Sequence, residues 1–145
     1  DLGEGVKTQI VAPVSSSYSN TNDYSAVIRL SYGETSFLFM GDAEKTSEYE
    51  MVDGNYPIKS TVLKVGHHGS ITSTTDKFLK AVNPTYGVIF SQKDNSYEHP
   101  DKEVVKRLED AKIIIYNTQK DGTIVAVTDG KNIEWTKEGS SRYSK

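Results

Sequence analysis

Residues 62–70 read VLKVGHHGS: a short, mostly apolar run, then two adjacent histidines held between Gly66 and Gly69. Such a run ending on glycine is a strand that stops at a sharp turn. Glycine permits the tight turn and lets short side chains converge. Working outward, the same arrangement recurs on both sides. FLFMGDAE (37–44) is an apolar run, then Gly41, then Asp42 at the mouth of a helix; FSQKDNSYEHP (90–100) is a strand end and a polar loop carrying His99 directly before Pro100. Open α/β sheets hold their functional groups just past the carboxyl ends of the strands. Three such endings therefore indicate both the fold and its working edge.

The remaining pattern fits around them. Residues 7–12 predict a strand closed by Pro13, and the polar tract at 15–23 predicts a loop. Strands are expected at 25–32 and 35–40, forming a β-hairpin; in the first, Ala26, Ile28 and Leu30 lie on one side and Val27 and Arg29 on the other, with one face wet. Helices are expected at 43–52, 74–82 and 100–110, the last with Pro100 in its first turn; strands at 60–65, 86–90, 112–116 and 122–128, with 132–136 an added edge strand. Lys120-Asp121-Gly122 reads as a turn. The fold class is α/β with a mixed sheet. Residues 1–138 are expected to form one unit and 139–145 a disordered tail.

Composition sets the outer limits. The chain has 145 residues, a net charge of −3 and no cysteine, which excludes disulfide scaffolds, thiolate zinc sites and cysteine nucleophiles. No apolar run reaches the roughly 20 residues that cross a bilayer. An extracellular or cell-surface setting suits a thiol-free, Ser/Thr/Tyr/Asn-rich chain. Asp1-Leu2-Gly3 shows neither initiator Met nor signal peptide, so the natural start is expected upstream. Lys77, Lys80, Lys102, Lys106 and Arg107 lie among acidic neighbours, and no aromatic stacking row for nucleic acid is evident.

All three histidines fall in strand-to-helix loops. With Asp42 they supply a carboxylate and up to three imidazoles, donors suited to zinc or manganese. Taken singly each residue has a plainer reading. Asp42 alone is more often a helix N-cap, and vicinal His67 and His68 tend to diverge, so that one faces a site. Lys64 could neutralise a substrate oxygen, although a surface lysine is the commoner explanation. Asn95 and Tyr97 could donate to a phosphate. The positive end of the 100–110 helix would keep His99 neutral.

The strings NDYSAVIRLSY, FLFMGDAE, VLKVGHHGS and NSYEHP together resemble the carboxyl-terminal half of metallo-β-lactamase-fold hydrolases, nearest to those related to DNA-uptake competence proteins. The resemblance implies half of an αββα sandwich, a mixed β-sheet with helices on one face. It implies a metal-dependent hydrolase of phosphodiester or related ester bonds, DNA among them, using two divalent ions in the intact domain. On that resemblance Asp42 matches a metal-ligating carboxylate, His67 and His68 a histidine pair at the metal of which one is expected to be a ligand, and His99 the later, catalytic histidine, a ligand or a group facing the scissile phosphate; Lys64, Ser70 and Asn95 are the candidate substrate-binding residues. The family's H-x-H-x-D-H motif is missing, so this segment by itself is expected to be inactive. Its first partner is then the missing amino-terminal half of the domain, with self-association as another outcome, because one sheet face, with Ile28, Leu30, Phe37, Phe39 and Val88, would be uncovered. The alternative is a non-catalytic interaction or assembly domain of degenerate fold.

Overall fold

The computed structural model describes residues 3–92 and 96–138; Asn95 and the tail at 139–145 lie outside them. Six strands form one sheet in chain order: β1 (Val6–Ala12), β2 (Val27–Tyr32), β3 (Thr35–Phe39), β4 (Val62–Lys64), β5 (Tyr86–Ile89) and β6 (Ile114–Asn117). The first three are antiparallel and the last four, β3 to β6, parallel. Helices α1 (Lys45–Asp53), α2 (Asp76–Val82) and α3 (Lys102–Asp110) make the crossovers that parallel pairing demands. A short α4 (Thr118–Asp121) leads into a separate hairpin, β7 (Thr123–Thr128) with β8 (Ile133–Glu138). Among the described residues no helix is long and apolar enough to cross a membrane.

One face of the sheet is sealed. Leu38, Leu63, Val65 and Ile89 pack against Met51, Phe78, Leu79, Val82, Val104 and Leu108 of the helices in a single buried cluster. Each fully buried side chain of this size contributes about 1.5–3 kcal/mol. Gly87 lies under Ile113 and Leu108, where a Cβ would come within 3.2 Å of Ile113. Val27 is completely buried on this side, so the side of β2 that carries Val27 and Arg29 is its core face.

The opposite face is half covered. The β7–β8 hairpin folds over its parallel part, where Trp135 stacks on Tyr116 at 4.2 Å and lies 5.1 Å from Tyr86. Ile124, Ala126 and Trp135 close a narrow cavity of about 180 Å³ over Phe37, Val62 and Val88. Val88 is therefore buried, not exposed as expected. Ile28, Leu30 and Phe37 are half-buried, while Phe39 and Phe90 remain 39% and 47% exposed and Ile10 71%.

The helix starts are set by side chains. Thr75 accepts from the Phe78 amide, and Asp101 from the Glu103 amide at 2.8 Å, so Pro100 lies just outside α3 rather than in its first turn. At α1 the capping position is Glu44, whose own side chain makes no cap bond; the cap comes from Asp23, whose Oδ1 accepts from the amides of Glu44 (3.0 Å) and Ser47 (3.2 Å). Asp42 is thus not the helix cap. Residues 118–121, read partly as a turn, instead make the helical turn α4, because Asn117 caps it through the Gln119 amide.

Glu48 of α1 is buried, and its carboxylate accepts from the backbone amides of Thr74 and Thr75, tying α1 to the start of α2. Burial outweighs these bonds and the Arg107 charge, so its pKa rises to about 6 from the ordinary 4.5. A raised carboxyl pKa stabilises the fold below its unfolded value and loses that contribution as pH rises through the folded one. Urea unfolding should therefore show wild type losing up to about 2 kcal/mol relative to Glu48→Gln between pH 4.5 and 6.5; a pH-independent difference would refute this. Asp23→Ala should lower stability by about 1–2 kcal/mol through loss of the cap, with Asp23→Asn intermediate, measured by the same unfolding.

Candidate metal-ligating rim

Because the parallel strands follow chain order, the ends of β3, β4 and β5 lie side by side, and each delivers one part of the site. After β3, Gly41 turns at φ +57°, where a Cβ would stand 3.1 Å from the Ser25 side chain. Asp42 follows, its amide donating to Ser25 Oγ at 3.1 Å. The Gly41 carbonyl accepts from the His67 amide at 3.0 Å and from Lys64 Nζ at 3.1 Å, fastening the β3 end to the β4 end. After β4, His67 and His68 both adopt left-handed backbone, φ 44° and 57°. Each such non-glycine residue costs on the order of 1–3 kcal/mol and persists only where its surroundings hold it. Here the His67 carbonyl accepts from the Ser70 amide (2.9 Å), Ser73 Oγ donates to the Gly66 carbonyl (2.8 Å), and the Asp101 amide donates to the Gly69 carbonyl (2.9 Å). Gly69 itself, at φ +83°, lies so close to Pro100 that a Cβ would sit 2.7 Å from it, which brings His99 alongside.

Both vicinal histidines reach the rim, although their rings diverge. His68 Nε2 lies 3.4 Å from Asp42 Oδ1, while its Nδ1 is 2.7 Å from the Phe90 carbonyl. A carbonyl only accepts, so Nδ1 carries a proton and donates to it, which turns Nε2 toward Asp42. His67 Nδ1 lies 3.0 Å from Glu44 Oε1, and its ring centroid is 5.8 Å from that of His99 and 6.2 Å from that of His68. Glu44 is in turn gripped by the side-chain amides of Asn20 and Asn22, each donating at 2.7 Å. The His99 pKa is lowered, first by burial and then by His67 and His68, with Asp101 opposing. Its preference for the neutral form matches expectation, but burial, not the α3 terminus, leads.

Lys64 is half-buried rather than a surface lysine; burial lowers its pKa, Asp42 opposes, and its ammonium lies 5.7 Å from the centre of the Phe90 ring. Ser70 is buried, its hydroxyl 3.0 Å from that of Thr72, so it braces the loop instead of facing a substrate. Asn95 lies outside the described residues. Glu44, Asn20 and Asn22 were not foreseen as site residues. The available signals were the second carboxylate of GDAE and the asparagines of the tract read as loop.

The donor chemistry fits part of a divalent-metal site. Asp42 Oδ1 and His68 Nε2 converge from two strand ends as a carboxylate and an imidazole donor, and carboxylate-anchored His67 has the outer bond usual for metal-ligating histidine. Among the described residues, however, no three such side chains form a group able to hold a metal by themselves.

Residues 18–93, just over half of the chain and including Asp42, His67 and His68, match the model of the metallo-beta-lactamase superfamily. The chain is 35% identical over 115 residues to ComE operon protein 3 of Bacillus subtilis, covering 79% of this chain and 15% of that protein. It is 35% identical over 121 residues to recombination protein 2 of Haemophilus influenzae (83% and 15%) and 34% over 123 residues to competence protein ComA of Neisseria gonorrhoeae (83% and 18%). The chain thus spans under a fifth of the length of these relatives. With its parallel strands, one-sided helices and carboxylate–imidazole rim, the chain belongs to the metallo-beta-lactamase superfamily.

Proposed function

We propose that this chain supplies one half of a dinuclear site that hydrolyses phosphodiester or related ester bonds, in an extracellular or cell-surface protein. The observation that carries the reading is the convergence of Asp42 and His68 at 3.4 Å on adjacent strand ends, with the His67 ring 6.2 Å from that of His68 and the His99 ring 5.8 Å from that of His67. The superfamily is generally hydrolytic, which supports it. Divalent ions, zinc or manganese, supply Lewis-acid activation of water and of phosphoryl oxygens.

The chain's own residues set the stage for that chemistry. Asp42 and His68 Nε2 offer ligand atoms from two strand ends; the Phe90 carbonyl and Glu44 orient the two rings. His99, biased toward neutrality, can accept a proton or hydrogen-bond a leaving oxygen at pH 7. Lys64 places a positive charge beside Asp42, suited to an anionic diester.

The other half of the site, with the H-x-H-x-D-H motif, comes on this reading from an amino-terminal half seated on the open sheet face. Ile10, Phe39 and Phe90 leave apolar surface there, and the relatives are far longer than this chain. A second copy on the same face would instead give a dimer of the isolated segment.

In the natural protein that carries this segment, Asp42→Ala should lower divalent-metal-dependent kcat/KM toward bis(p-nitrophenyl) phosphate by at least about 100-fold. Thermal unfolding should hardly change, since the Asp42 side chain is 45% exposed. Undiminished activity in that variant would sink the assignment and leave an assembly domain.

A further inference from the structure

We infer that Glu48 and Arg107 are positioning residues for the rim: from two helices they clamp the loop that carries His67 and His68. This rests on the metal-site reading above and adds what holds its histidines in place. Residues 65–75 leave β4 with the two histidines and return to α2, so the rings keep one pose only if the returning end is fixed as well.

The clamp acts on main chain. Glu48 of α1 is fully buried, and its two carboxylate oxygens accept one amide each, from Thr74 and from Thr75, the latter at 2.9 Å. Arg107 of α3 takes the same stretch by its carbonyls, Nη1 donating to that of Thr74 at 2.6 Å and to that of Ser73 at 3.4 Å. Thr74 is thus held by its amide and its carbonyl together. It needs that hold, because it is β-branched and left-handed at φ +55°, a conformation that persists only under constraint. Beside it, Ser73 Oγ donates to the carbonyls of Gly66 (2.8 Å) and Ser70 (3.1 Å). Gly66 immediately precedes His67, so the clamp reaches the histidines through one hydroxyl and one peptide link. The first residue of α1 adds a further tie, the Lys45 amide donating to the Thr72 carbonyl at 3.1 Å.

A helix cap would be a plainer role for Glu48, but that place is taken. The Thr75 hydroxyl already accepts from the Phe78 amide at the start of α2. Nor does the core gain from a carboxylate here. Burial works against its charge, and an apolar side chain of similar volume would fill the space without that penalty. What an apolar side chain cannot do is accept two neighbouring amides at once.

The test uses the natural protein without metal and follows hydrogen exchange at pH 7 in peptides covering 66–75 and, as a reference, 27–39. Glu48→Gln keeps the volume but offers one acceptor oxygen to two amides. Exchange of 66–75 should speed up by about 10- to 100-fold, with 27–39 unchanged. Arg107→Met, at a position that is partly exposed, should accelerate the same peptide by about 10-fold. Zinc affinity, read by competition with a chelator, should fall about 10-fold in both variants, which a loss of global stability alone would not produce. Unchanged exchange of 66–75 in both variants, equal acceleration of 27–39, or zinc bound as tightly as by wild type overturns the clamp. The hydrolase reading fails separately: a protein that holds no zinc and cleaves no diester loses its assigned chemistry, and the exchange of 66–75 still decides whether Glu48 and Arg107 set the loop.

Discussion

The His67 amide donates to the Gly41 carbonyl at 3.0 Å, and the site depends on that bond. The β3–β4 ladder ends at Phe39 and Lys64, after which both strands must turn away into helices. One backbone hydrogen bond past the ladder keeps the two turns in register, and the Lys64 ammonium doubles it on the same carbonyl. A carbonyl that accepts twice is well satisfied, so its turn has little reason to relax. Asp42 and His68 are then placed within 3.4 Å of each other by main chain rather than by flexible side chains. The left-handed backbone at both histidines is the conformational expense of this placement, and the amides and hydroxyls that hold Gly66, His67 and Gly69 offset it.

The sheet is asymmetric for a related reason. Its helical face is sealed by crossovers that parallel pairing makes obligatory. The other face has no such cover in the chain order, and only the β7–β8 hairpin folds back over it. The aromatic stack of Tyr86, Tyr116 and Trp135 anchors that hairpin over the parallel strands, while the antiparallel end around Ile10 and Phe39 stays more open. The rim lies at the carboxyl edge of the sheet, so whatever covers the open end also borders the ligands.

Much of this was legible from local signals. Three strand endings marked by glycine and a chemically active side chain located the rim, since a glycine turn after an apolar run has few structural meanings. Helix existence followed from Val104 and Leu108, or Phe78, Leu79 and Val82, at helical spacing. What failed depended on distant parts of the chain. Alternation in β2 left open which of its sides is wet, because the layer that buries Val27 comes from later in the chain. Val88 looked exposed because the returning hairpin is a separate sheet with no local link to β5. Asp42 looked like a cap because nothing local shows that Asp23, in another loop, fills that role.

The two carboxylates of GDAE show how far spacing can separate roles. Asp42 and Glu44 are two residues apart at the start of one helix, and both meet a histidine. Glu44 is 12% exposed and has its oxygens occupied by two asparagine amides and His67. A carboxylate so fully engaged has little lone-pair capacity left for an ion, and its effect is to fix the ring it touches. Asp42 is 45% exposed, its amide is tied down by Ser25, and its side chain lies 3.4 Å from Nε2 of His68. Its oxygens can therefore turn toward a cation without breaking any bond that the fold requires. The polar tract from Asn20 to Asp23 thus serves both ends of the problem: its asparagines orient the outer carboxylate, and its aspartate holds the helix from which that carboxylate projects.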